Sequence, residues 1–524
     1  MWTWVAIASL IIVVALVVVA ELMIHRAGPI LKGRVTETLS TRFNSRVELD
    51  RLNVSVLRGL EVSGNGLRIY PPDNVVAAGA RQPLIAVEHF SFHAGLIGLF
   101  IKPMHIELVH INGLQINIPP REMRQQASEK PRQHLGKIKI LVDEIICDNS
   151  RLIIGTAKPN KDPKDFELEH IELHDVGPNA PWRYDARLTN AIPRGEIYAA
   201  GLFGPWQTDS PGDSSVSGHY TFDHADLNTI KGIGGILSSV GDFKGQLDKI
   251  IVDGTTETPD FSLDTANHPI PLHTRLHAIV DGIGGDTYLE RVNAKLRNSS
   301  FTASGAVINI KGRGHTIELD VDVPQEQVQD FLDLAVKTEP AVMTGVISTK
   351  AKMRIRPGKE AIVQRLSLRG NFALLGIHFS NPQVQDKVDM LSLRARGEPK
   401  KAKPGAKDVN SHMKGAFSLN EGVIHVSNLE YVLPGARVDL KGTYSLDGQQ
   451  FEFNGKLLTE ASLAHMVDSP WLSTLLKVVP LFRKRGGGAE IPVKIRGTKS
   501  DPKFGLDVLR SRSNDVEPTG KRKH

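Results

Sequence analysis

The chain has 524 residues, 40% of them hydrophobic and 23% charged, too apolar for a disordered chain and too polar for a multi-span membrane protein. A single cysteine, Cys147, excludes an internal disulfide and any cysteine-rich zinc site. A net charge of +6 over this length, with only 6% aromatic residues, argues against a nucleic-acid binder.

No charged side chain occurs from Met1 to Ala20. The apolar core Val5 to Ala20, with Trp2 and Trp4 before it and Leu22 to Ile24 behind, reaches the roughly 20 residues that cross a bilayer as a helix. The two tryptophans suit an interfacial belt. A cleaved signal peptide is the alternative, but no basic stretch precedes the apolar run. Arg26, Lys32 and Arg34 follow the span, a charge pattern that by itself would leave the body in the cytoplasm. Leu31, Val35, Leu39 and Phe43 then recur every four residues, which predicts a short amphipathic helix.

From Val47 the apolar residues fall at period two. Ile106 and Leu108, then Leu114, Ile116 and Ile118, alternate with polar residues. So do Phe166 and Leu168, and Val438, Leu440, Tyr444 and Leu446. After an Asp447-Gly448 turn signal, Phe451, Phe453 and Leu457 resume the pattern. This alternation predicts strands of about five to eight residues with one apolar and one wetted face. Polar, turn-rich stretches interrupt them near Pro71 to Pro83, Pro119 to His134, Lys158 to Asp165, Pro205 to Ser215 and Glu398 to Ser411. Helices are predicted at Gln325 to Lys337 and, split by Pro470, at Leu463 to Phe482. The end from Arg510 reads as a disordered basic tail.

Two repeats stand out. Gly254, Thr255, Pro259, Phe261, Leu263 and Asp264 match Gly497, Thr498, Pro502, Phe504, Leu506 and Asp507 at identical spacing. The motif reads as a strand, a turn at Gly-Thr and a proline-initiated next strand, and it is architectural. More loosely, Val292 to Leu296 followed by Phe301, Ala303 and Gly305 resembles Leu429 to Leu433 followed by Val438, Leu440 and Gly442. Repetition favours one elongated sheet over unrelated domains.

Catalytic signatures are weak. Thr302 to Gly305 lacks the leading glycine of a nucleophile elbow, and no Gly-Lys-Ser/Thr follows Gly232, Gly234 and Gly235. His273 and His277, like His89 and His93, are four apart; on a strand that is roughly 13 Å, too far for one metal. Asp320 and Asp322 share a strand face, where a wetted surface is the default over acid–base work. No enzyme activity, cofactor or metal is expected.

The chain resembles the AsmA-like proteins of bacterial envelopes, related more distantly to TamB-type proteins. The resemblance rests on the N-terminal span with Ile30 to Phe43 and Arg46 to Ile69, on Phe222 to Gly245 leading into Thr258 to Phe261, and on Leu289 through Pro492 and Gly497-Thr498 to Asp507. It implies an inner-membrane anchor with a periplasmic body. The implied body is a mainly β fold: a transmembrane helix, then an elongated, curved, repetitive antiparallel sheet with an apolar groove and a few short helices. The expected divisions are an anchor (1–24), an amphipathic helix (25–45), β-rich regions (46–288 and 289–509) and a tail (510–524). An apolar strand face needs either a second layer or acyl chains over it, so Ile106, Leu108, Leu114, Ile116, Ile118, Val438, Leu440, Tyr444, Phe451 and Phe453 are the expected lining. About 35 strands at about 4.8 Å would give at most about 170 Å, a membrane-bridging scale. The implied function is a phospholipid conduit between inner and outer membranes that supports outer-membrane homeostasis, with the outer membrane or one of its proteins at the far end. The alternative is an interaction protein that influences outer-membrane protein assembly without carrying lipid. The stretch Trp471 to Phe482 before Arg483-Lys484-Arg485 reads as either a headgroup contact or a cap on the sheet.

Overall fold

In a computed structural model the described residues are 45–506, apart from 56–59, 72, 78, 95–103, 121–139, 156–162, 178–179, 206–210, 265, 267, 337–339, 406–408, 447–449, 469–486 and 499–501, together with 32–33, 35–37 and 39–40. The predicted anchor, the stretch after Pro470 and the tail lie outside them. Among the described residues no helix is long and apolar enough to cross a membrane. The described positions between 32 and 40 are helical, as the four-residue stripe predicts.

The fold is mainly β, a single long, curved, open sheet of 25 strands with few helices. Nearly every strand pairs antiparallel with its neighbour in sequence, so the chain meanders from the edge segments Val47–Glu48 and Arg51–Ser55, which share the partner Leu60–Ile69, to Pro502–Leu506. Pairing continues without a break past residue 288, where Ile270–Val280 meets Thr287–Leu296. One pair departs from the antiparallel expectation: Met104–Ile118 runs parallel to Ile140–Ile154. A parallel partner needs a crossover of a dozen or more residues, and the polar stretch starting at Pro119 has that length.

The strands are fewer and longer than the alternation suggests. Met104–Ile118, Ile140–Ile154 and Lys249–Leu263 each have 15 residues. The reason is that several turn signals are absorbed as bulges. Pro259 falls in the register shift between Thr258 and Phe261, and Pro324 in that between Val323 and Glu326. A bulge leaves one residue out of the ladder, so the missing proline N–H costs no bond there. The first copy of the Gly-Thr motif is therefore straight strand, with Gly254 opposite Gly241 and Leu276. Only the second copy turns, with Gly497 opposite Pro502. The looser repeat does share local structure. Leu289 pairs with Gly305 and, after a bulge, Val292 with Ala303; Val426 pairs with Gly442 and, after a bulge, Leu429 with Leu440.

The helix predicted at Gln325 to Lys337 begins later, at Val328–Ala335, because Gln325 to Gln327 complete the strand Gly314–Gln327. Leu463–His465 is one 3-10 turn. A longer helix, Pro382–Ala395, was not predicted; Asn381 caps it through the N–H groups of Gln383 and Val384, and Pro382 occupies its first turn. A short helix, Asp73–Ala77, also lies inside the turn-rich stretch after Pro71. Asp330, only 2% exposed, ties Val328–Ala335 to the sheet: it accepts from the Ser299 hydroxyl (2.8 Å) and the Asn298 N–H (3.2 Å). Removing that acceptor should cost about 1–3 kcal/mol. Asp330→Ala is therefore expected to lower the thermal midpoint clearly, while Asp333→Ala, which loses only the outer ion pair to Arg297, has a smaller effect; circular-dichroism melts compare them.

Candidate functional site

The candidate site is a face of the sheet. Residues paired across strands share a side, so the registers assign each residue to a face. One row passes from Leu319 through Met353, Leu368, Leu419, Ile424 and Tyr444 to Phe451, apolar at every step. One residue along, the parallel row passes from Asp320 through Lys352, Arg369, Ser418, His425 and Thr443 to Glu452. The period-two pattern of single strands is thus carried coherently across the sheet.

Of the predicted lining residues, Val438, Leu440, Tyr444, Phe451 and Phe453 all fall on the apolar face, and all are half-buried. The rings of Phe451 and Phe453 lie 6.5 Å apart. Val438, however, packs against a core made by the chain itself. Val328 and Leu332 of one helix, and Val388, Leu391 and Ala395 of the other, meet Leu374, Tyr431 and Leu433 there. The two helices cover one end of the apolar face; Tyr444, Phe451 and Phe453 lie toward the other.

In the N-terminal half a line of left-handed residues crosses the sheet: Gly66 (φ 66), Gly113 (φ 69) and Asn149 (φ 50). Pairing places their neighbours Asn65, His89, Asn112 and Asp148 side by side. A left-handed residue reverses the alternation, which is why Cys147 and Ser150, three apart, are both buried. Leu114, Ile116 and Ile118 are accordingly continuous with Ile111 and Val109 on the apolar face. Leu108 falls on the other, in register with His93 and Glu144, whereas Ile106 is in register with the buried Val142. A strict period-two count through Gly113 misplaces Leu108.

The opposite face is charged. Lys350 pairs with Asp322 (3.0 Å), Lys352 with Asp320 (3.4 Å) and Arg354 with Glu318 (3.2 Å), so the carboxylates considered for acid–base work are countered by lysines. A cavity of about 1390 Å³ lies on this side, lined by the two lysine pairs with Arg369, His425 and Lys441. Histidines spaced four apart are separated, as expected for strands: His273 and His277 face Glu257 and Asp253, and His89 and His93 face Asn65 and Glu61. Missed in the sequence is a further group: His110 and His170 flank Asp148 at 2.8 and 2.7 Å, and His170 continues to Glu172 at 3.0 Å. The signal was present as His170-x-Glu172-x-His174, polar at every second residue of one strand. Hydrogen bonds from the two imidazoles hold the Asp148 carboxyl below its usual range.

Comparison with family models, with curated proteins and with solved structures finds no match for this chain.

Two outcomes follow from side-chain chemistry. Cys147 is 4% exposed on the apolar face, and burial, aided by Asp148, pushes its thiol up to about 11. A soluble thiol reagent at pH 8 is expected to label it slowly in the folded chain and fully after denaturation; rapid native labelling would contradict its placement. The hydrogen bond to Asp253 raises the His277 pKa. A raised histidine pKa stabilises below the unfolded value, about 6.5, and the contribution is lost as pH rises through the folded value. His277→Gln should therefore lower the melting temperature more at pH 5.5 than at pH 8.5, the effect being small at this exposed position.

Proposed function

We propose that the protein is a membrane-anchored carrier of phospholipid acyl chains, working between the inner and outer membranes of a bacterial envelope and supporting outer-membrane homeostasis. The observation behind this reading is the apolar row from Leu319 to Phe451, which runs across successive strands while the opposite row is charged. A sheet with one apolar face must bury it. A mobile acyl chain suits a long aliphatic lining, and each methylene it removes from water gains about 0.8 kcal/mol. The meander repeats the same two-faced unit, so such a lining can extend along the stack, about 110 Å for the described strands at about 4.8 Å spacing.

In this reading the apolar N-terminal segment holds the chain in the inner membrane, the body is periplasmic, and the outer membrane or one of its proteins receives the far end. The mechanism involves no covalent step: headgroups stay in water while acyl chains slide along the apolar face. The packing of Val328–Ala335 and Pro382–Ala395 over one end of that face favours the second reading, a self-closed sheet acting through protein partners in outer-membrane assembly.

Photo-crosslinking separates the two. Crosslinkers at Ile116, Leu440 and Phe453 are expected to capture acyl chains in cells, and those at Leu108, Lys441 and Asn454 are not. Equal labelling of both sets, or capture of protein alone, would contradict lipid carriage. A reporter fused at the C-terminus should be active only outside the cytoplasm; cytoplasmic activity would defeat the export claim.

A further inference from the structure

The charged face of the N-terminal half holds a group of side chains that the lipid reading does not use. Glu144 and His174 stand opposite each other on the strands Ile140–Ile154 and Lys164–Val176. Glu172 lies two residues before His174, on the same side of the strand. One ligating atom from each of the three lies within 4.8 Å of the other two, and all three residues are half-buried. The Glu144 side chain has no ion pair or hydrogen bond among the described residues. Two carboxylates therefore converge across neighbouring strands with one imidazole as the third member. Like charges this close repel, and partial burial weakens the screening by water.

We infer that Glu144, Glu172 and His174 form a binding site for a divalent transition-metal cation of the zinc class. Two carboxylate oxygens and one imidazole nitrogen match a three-ligand zinc site that keeps a further position open. The imidazole favours zinc, nickel or copper over calcium and magnesium, which take oxygen donors. Tetrahedral ligands at bond lengths near 2.0–2.2 Å stand about 3.4 Å apart, so from separations within 4.8 Å the side chains need close in by at most about 1.4 Å. Rotamer changes at half-buried positions supply that movement, while the strand pairing keeps the backbones fixed. Support comes from the next residues outward. His170 contacts Glu172 through Nε2 at 3.0 Å and Asp148 through Nδ1 at 2.7 Å, which orients the carboxylate as outer partners of metal ligands do. Arg183, in register with His174, is engaged by Asp175 at 2.8 Å and leaves the site uncrowded by its charge. The surroundings of His277 differ: Asp253 meets its Nδ1 (2.7 Å) and Glu290 its Nε2 (3.5 Å), so the carboxylates lie at different ring nitrogens and do not converge on one point.

A cation here would clip Ile140–Ile154, one member of the parallel pair, to its antiparallel neighbour Lys164–Val176. The test is titration of the untagged full-length chain in detergent at pH 7.5 with zinc chloride, with cobalt(II) as the optical probe. One cation per chain is expected at this site, with cobalt absorption in the visible region. Glu144→Gln and His174→Ala should each weaken binding at least about 10-fold, whereas His273→Ala, which alters another carboxylate-facing strand histidine, should leave it unchanged. Glu144→Gln preserves side-chain shape, so its loss of binding reports on the ligand and not on folding. Absence of zinc binding, or wild-type affinity in the Glu144→Gln and His174→Ala variants, would overturn the assignment.

Discussion

A sheet that is apolar on one side and charged on the other must find something to cover the apolar side, and the rest of this structure depends on that need. Apolar surface left in water costs about 25 cal/mol per Å². At one end the chain meets the need itself, laying Val328–Ala335 and Pro382–Ala395 on Leu374, Tyr431 and Leu433. Toward the other end, in the row through Leu419, Ile424, Tyr444 and Phe451, Leu419 is buried while Ile424, Tyr444 and Phe451 remain half-buried. In the proposed reading, an acyl chain covers that surface.

The charged face is the counterpart of this arrangement. Its pairs, such as Lys350–Asp322 and Lys494–Glu452, are screened by water and add little to stability. Their value is to keep one side of a long open sheet wetted, so that association is confined to the other. The prolines at bulges act in the same direction. Because Pro259 and Pro324 are absorbed without ending a strand, the two faces stay distinct over the full strand length.

Much of this was legible in the sequence. Period-two spacing gave the β class and placed Tyr444, Phe451 and Phe453 on one face, since no left-handed residue interrupts either strand and the two pair across the turn. The loose repeat marked two hairpins with the same bulge. The failures have specific physical causes. Counting by two across Gly113 ignores a left-handed residue, which reverses the faces and moves Leu108 to the charged side. Identical Gly-Thr motifs fold differently because the first lies between two partner strands that keep it extended, while the second ends at the last described strand. The helix Pro382–Ala395 follows an Asn-Pro start that signals a helix locally, yet its apolar positions mix with polar ones, including the buried Gln385 and Asp389, which blurs the stripe. The convergence of Glu144 with Glu172 and His174 depends on the pairing of two strands and has no mark in either strand alone.

The central claim is that lipid, not protein, completes the apolar face. Native mass spectrometry of the chain from Gly28 onward, purified without detergent, addresses it most directly. The expected result is protein carrying phospholipid masses that are lost on organic extraction. A spectrum of bare protein, with the body folded, would contradict the account.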